Sequence, residues 1–259
     1  MDVKSFVKER FLLEFDTNEE EFEKFYQEYQ NIKPFKANEN IFETGQSISK
    51  EAHYILRLSA TFYMREVLKS LKIDLNDDDN VKEVLEQGNI GTFGRIAKMF
   101  SGAYLDDTTE LMSGRFNPPP RMAVFPNENK NHNPVFVKTD LNAVCSHHFI
   151  RFGEDYFDEN SFIVIGYIPR NYLGGISKIN RFVNWCARRG WLQEDLTKYI
   201  ATQIEENFKT DSVFVGLFNL KHGCTSFRGA CDTRSGTTTI YVSGEFKTNP
   251  DLIPPKYRG

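Results

Sequence analysis

The sequence predicts an α+β fold: an antiparallel sheet carrying two helices, preceded by a helical region. Two β-rich runs, "PVFVKTDLNAV" at 134–144 and "SFIVIGYIP" at 161–169, precede two stretches of helical periodicity. Two further β-rich runs follow, "DSVFVGLFNLKHG" at 211–223 and "SGTTTIYVSGEF" at 235–246. The order strand, strand, helix, helix, strand, strand describes an antiparallel sheet with both helices packed on one face. Upstream, residues 51–102 carry apolar residues at helical spacing.

Each element has a local reason. In "DTNEEEFEKFYQEYQNI" (16–32), Thr17 or Asn18 can cap a helix whose first turn is acidic. Ile55, Leu56, Leu58, Phe62, Met64, Val67, Leu68 and Leu71 predict an amphipathic helix over 51–73. The Asp/Asn cluster "DLNDDDN" ends it, a second helix is expected over 80–87, and a third begins near Thr92. Residues 103–134, with "NPPPR" and "PNENKNHNP", read as loop. The polar loop "GEDYFDEN" joins the first two strands. Ile176, Ile179, Phe182, Val183 and Cys186 mark one helix, and Leu196, Tyr199, Ile200, Ile204 and Phe208 the next, with Gly190 between. The expected organisation is a helical extension over 1–50, a helical region over 51–102, a loop over 103–134, the sheet domain over 135–247 and a tail over 248–259.

The 259 residues, 40% hydrophobic, suffice for one sizeable core. A net charge of −4 gives no global pull toward nucleic acid or an anionic membrane. No apolar run reaches the ~20 residues of a membrane helix, and "MDVKSFVKERFLLEF" lacks a signal-peptide layout. A soluble, cytoplasmic protein with four reduced cysteines, Cys145, Cys186, Cys224 and Cys231, is expected.

Two short stretches carry chemistry. "VCSHHFIRF" (144–152) sets Cys145 and His148 three apart, within reach of one ion if a tight turn follows a strand. "LKHGCTSFRG" (220–229) sets His222 and Cys224 two apart. Thiolate with imidazole suits Zn²⁺, and three protein ligands with an open fourth position is the catalytic pattern. Spacing alone leaves two readings open, a shared ion or unrelated core and surface residues. Cys186 lies on an apolar helix face and reads as core, and Cys231 as non-ligating.

From about Leu56 to Phe246 the sequence resembles the GTP cyclohydrolase I family. "CSHH" is similar to its Cys-Glu-His-His, and "YIPRNYLGGISKINR" to its strand-to-helix segment. "LQEDLT" is similar to Val-Gln-Glu-Arg-Leu-Thr, "HGCTSFRG" to His-x-Cys-x-x-x-Arg-Gly, and "GRIAKMFSG" to the earlier Arg-Ile-Ala-Lys helix. The resemblance implies the tunnelling fold and a decamer of two pentamers, with active sites between subunits. It implies zinc on Cys145, His148 and Cys224, with His147 and His222 left for acid–base work. Glu194 would anchor guanine with Gln193 beside it. Ser177, Lys178, Arg181 and Arg228, with Arg95 and Lys98, would hold the triphosphate of GTP. The implied product is 7,8-dihydroneopterin triphosphate, for folate, pterin or 7-deazaguanine synthesis. Ser146 stands where the family has Glu, and Asp195 where it has Arg. These departures leave as alternatives a zinc- and nucleotide-binding homologue without turnover, or an enzyme preferring dGTP. A nitrile reductase on the same fold would leave the Cys/His/Cys set unexplained.

Overall fold

The computed structural model describes residues 1–36, 38–46, 48–73, 91–105 and 110–258. The helix expected over 80–87, and the Asp/Asn cluster before it, lie outside these residues. The chain divides into two compact units, residues 1–118 and 119–259.

The first unit is helical. Helix α1, Val3–Phe15, starts at Asp2, whose carboxylate accepts from the Ser5 N–H at 3.0 Å, and stops at Asp16 in the left-handed region. The sequence reading did not delimit this helix, although Val3, Phe6, Val7 and Phe11 have helical spacing. Helix α2, Glu19–Gln30, is capped by Asn18 and has three glutamates in its first turn, as expected. Helix α3, Lys50–Ser70, is capped by Ser49. Ser49 is itself held by the Glu28 carboxylate of α2, at 2.6 Å from its N–H and 2.7 Å from its hydroxyl. Phe6, Phe11, Phe22, Tyr26, Ile55 and Leu58 form the core of this three-helix cluster. Helix α4, Thr92–Ser101, packs on α3. The stretch read as loop over 103–134 contains a 3₁₀ turn at Ser113–Arg115 and, in the second unit, strand β1, Val124–Pro126.

The second unit is an antiparallel α+β assembly. Strands β2 (Val135–Thr139), β3 (Asn142–Cys145), β4 (Ile150–Gly153), β5 (Phe162–Tyr167), β7 (Val213–His222) and β8 (Thr237–Val242) form one sheet in the order β2-β5-β7-β4-β3, with β8 also on β7. Strand β6, Tyr172–Gly174, pairs with β1 as a separate ribbon. Three expectations need correction. The run 134–144 is two strands, broken at Asp140–Leu141, because β2 pairs with β5 while β3 pairs with β4. Strand β4 was missed, being only four residues of a run read as a ligand motif. The last β-rich run ends at Val242 and continues as helix α8, Gly244–Thr248.

Helices α5 (Ile176–Ala187) and α6 (Gln193–Phe208) sit between β6 and β7 in sequence, separated at Gly190, whose φ is +76°. Registers put Val213, Val215, Leu217, Ile163, Ile165, Tyr167 and Val137 on one face. Helix α6 lies on that face: the Phe208 ring meets Tyr167 at 4.9 Å, and Thr197 bonds Thr239 of β8 at 2.7 Å. Helix α5 packs against α6, β2 and β3. The opposite face presents Phe136, Val164, Phe214 and Phe218, and residues 246–257 cover it through Phe246, Ile253 and Tyr257.

Candidate active site

The two Cys/His stretches meet through backbone pairing. Strands β3 and β4 form a hairpin in which Cys145 faces Ile150, so Ser146, His147, His148 and Phe149 are its loop. Phe149 closes the loop at φ +52°, its N–H donating to the Cys145 carbonyl at 2.8 Å. A left-handed aromatic residue is strained, by about 1–3 kcal/mol, and here it turns the chain directly behind a candidate ligand. Strand β4 then pairs with the end of β7, Phe152 opposite His222. The Phe152 and His222 rings stack at 4.8 Å with planes 7° apart. Past His222 the chain makes one helical turn, α7 (Gly223–Ser226), with Thr225 and Ser226 hydroxyls donating to the His222 carbonyl at 2.8 and 3.2 Å.

A third segment binds both. The Trp191 N–H donates to Val144 and the Ser146 N–H to Trp191, at 3.0 and 3.1 Å, so the residues before α6 run alongside Cys145. Two residues on, the Gln193 carbonyl oxygen lies 2.7 Å from His222 Nε2. Gln193 Nε2 donates to the Thr237 carbonyl at 3.0 Å and to Thr239 Oγ1 at 3.1 Å. Gln193 is expected among the substrate-binding residues, beside Glu194. Its side chain is buried and bonded to β8 and His222. Burial lowers the His222 pKa, and the neighbouring Glu194 charge acts in the opposite sense.

Glu194 is exposed in the first turn of α6, beside a cavity of about 180 Å³ that Thr197, Lys198, Thr239, Ile240 and Tyr241 also line. That is below the ~300–1,000 Å³ usual for ligand pockets, so this cavity alone would not enclose a nucleoside triphosphate. A larger cavity, about 800 Å³, lies within the first unit among Tyr26, Tyr29, Phe35, Tyr63 and Phe116, and none of the candidate site residues lines it. Ser177 and Arg181 are exposed and Lys178 half-buried on the first turns of α5. Arg95 and Lys98 lie on α4 in the first unit; Arg95 is exposed and Lys98 pairs with Glu110 at 3.6 Å.

The expected ligand trio is near but not assembled. Among the described residues no group of three Cys, His, Asp or Glu side chains is placed to share a metal ion. Arg228 Nη1 donates to His148 Nε2 at 2.8 Å, engaging one of the two ring nitrogens that could bind a metal. His147, exposed, lies with its ring 6.0 Å from that of His148. The donor types nonetheless suit zinc: buried Cys145, half-buried Cys224 and His148, on a hairpin and a helical turn that pack together.

Residues 65–254 match the family model of GTP cyclohydrolase I. The chain belongs to the GTP cyclohydrolase I family. It is 32% identical over 191 residues to GTP cyclohydrolase 1 of Aeromonas salmonicida (strain A449), covering 73% of this chain and 77% of the relative. It is 35% identical over 190 residues to GTP cyclohydrolase 1 of Vibrio cholerae serotype O1, covering 73% and 76%. Among solved structures, the archaeosine synthase QueF-Like in the apo form is similar at a TM-score of 0.32 and 18% identity, over 43% of this chain and 94% of that one, a likeness too distant to bear on function. Among the described residues no helix is long and apolar enough to cross a membrane. For this family member, the segment sequence reasoning missed is Trp191, whose backbone holds the Cys145 strand. Position two residues before "QEDLT" was its only signal.

Proposed function

We propose that this chain is a zinc-dependent GTP cyclohydrolase I. It opens the imidazole ring of GTP at C8, releases formate and yields 7,8-dihydroneopterin triphosphate. The observation that carries the reading is the Phe152–His222 pairing, which seats the two Cys/His stretches side by side within the family-matched region.

Cys145, His148 and Cys224 would hold the zinc, His148 turning from Arg228 to do so. When bound, the ion supplies the Lewis acidity that makes water nucleophilic near neutral pH. The chain's own residues do the rest. Guanine presents N1–H and its 2-amino group side by side, and the Glu194 carboxylate can accept from both. Adenine has an acceptor at N1 and would set a lone pair against that carboxylate, a mismatch that can discriminate by ~10⁴-fold. His222 holds a proton for N7, which makes C8 electrophilic. His147 moves protons at the formamide or the ribose. Arg228, once released by His148, joins Ser177, Lys178 and Arg181, with Arg95 and Lys98, in taking the triphosphate. Water enters at C8 and again at the formamide; closure of the pterin ring expels one water.

The expected assembly is a decamer of two pentamers, and the expected location the cytoplasm. The zinc-replete chain incubated with GTP and dGTP should release formate in step with pterin fluorescence. Binding of GTP without formate would replace this reading with that of a nucleotide-binding homologue.

A further inference from the structure

We propose that Gln193 is a positioning residue that holds His222 through its Nε2–H, so that the resting ring is the Nε2–H tautomer and Nδ1 is the nitrogen that takes up the proton and presents it to guanine N7. The inference deepens the cyclohydrolase reading and rests on it for the role of His222. The argument is one of donors and acceptors. The Thr237 carbonyl can only accept, so the Gln193 group 3.0 Å from it is the amide NH₂. That settles which way the amide faces, and puts its carbonyl oxygen 2.7 Å from His222 Nε2. An amide oxygen can only accept, so His222 Nε2 carries the hydrogen. Phe152 stacks flat on the ring and opposes its tilting out of that plane. Nδ1 has no hydrogen-bond partner among the described residues.

The Gln193 side chain is 1% exposed, and its oxygen and nitrogen are both engaged. Both of its amide hydrogens are therefore spent within the protein, and it has no free donor for guanine. Helix α6 divides two tasks between consecutive residues, with Gln193 turned inward to His222 and Glu194 outward.

Nitrogen-15 spectra of the whole chain labelled at histidine, taken at one neutral pH, test the assignment. The His222 resonances are identified by their loss in His222→Asn. The expected result is a protonated Nε2 and a bare Nδ1. In Gln193→Leu the Nε2 preference should disappear, kcat for GTP should fall at least ~10-fold, and KM should stay within ~3-fold. Gln193→Glu keeps an acceptor toward His222 and should retain the tautomer and recover part of kcat, even if Gln193→Leu folds poorly. A wild-type spectrum with hydrogen on Nδ1 and none on Nε2 overturns the proposal. So does a Gln193→Leu enzyme whose KM rises while kcat holds, since that is the signature of a residue touching the base. If the wild type shows the Nε2–H tautomer but never turns over GTP, the tautomer assignment stands and the cyclohydrolase reading falls.

Discussion

At the scale of single residues, the site is governed by who holds each lone pair. His148 is expected to release Arg228 and recruit zinc together with Cys145 and Cys224, so Cys224→Ser should lose zinc by metal analysis of purified protein. Full occupancy in that variant, with the exposed Cys231 untouched, would show that Cys224 is not a ligand. A second buried group lies outside this chemistry. The Glu154 side chain is 6% exposed and Oε1 has no hydrogen-bond partner. Burial pushes its pKa up to about 7, the Asp140 charge adds to the rise, and Lys138 opposes it. The folded state thus holds a proton that the unfolded state gives up from about pH 4.5 upward. Stability is lost as pH rises from there through about 7, and the loss is complete above it. Glu154→Gln supplies a neutral group that can still donate to Asp140. It should leave the denaturant midpoint unchanged near pH 4 and raise stability by ~1–3 kcal/mol at pH 8. An equal change at both pH values would mean that the carboxyl titrates in the folded state as it does in the unfolded one.

At the scale of elements, the contact between α7 and β4 decides where Cys224 stands. A Cβ on Gly223 would clash with Ile150 Cγ2 and lie 3.1 Å from the Arg151 carbonyl oxygen. Gly223→Ala must push the helical turn off the hairpin, at a cost of ~1–3 kcal/mol, and should weaken zinc binding. Adding Ile150→Ala makes room, so the pair should couple favourably by ~0.5–3 kcal/mol in a double-mutant cycle. Strict additivity would mean that the turn is positioned by something else. This contact also marks how far the sequence could be read. Period-2 and period-3.6 patterns located α3, α5, α6, β5 and β7, because each runs six residues or more with one face buried. Strands β4, β3 and β6 are three or four residues long and carry too few alternations to announce themselves. The residue types at the site were legible through motif resemblance. The Gln193 and Arg228 bonds were not, because they join positions 29 and 80 apart in sequence.

At the scale of the whole molecule, the candidate phosphate ligands come from both compact units, Arg95 and Lys98 from residues 1–118 and Ser177, Lys178, Arg181 and Arg228 from residues 119–259. The sheet of the second unit leaves the outer edges of β2 and β8 without a strand partner among the described residues, and open edges are templates for pairing with another chain. If copies join through those edges, a site can take its cations from one chain and its histidines from the next. Complementation between two inactive variants tests this. Arg95→Ala lacks a phosphate ligand and His222→Ala lacks the proton donor, so each homo-oligomer should turn over GTP poorly. Co-expressed with different tags and purified as a hybrid, the two should form some sites that draw Arg95 from the His222→Ala chain and His222 from the Arg95→Ala chain. Those sites are intact, and the hybrid should show formate release that neither parent has. Parents refolded separately and mixed without subunit exchange serve as the control. A hybrid as inactive as its parents would show that each site takes both residues from a single chain, and the open edges would then pair copies without sharing the chemistry.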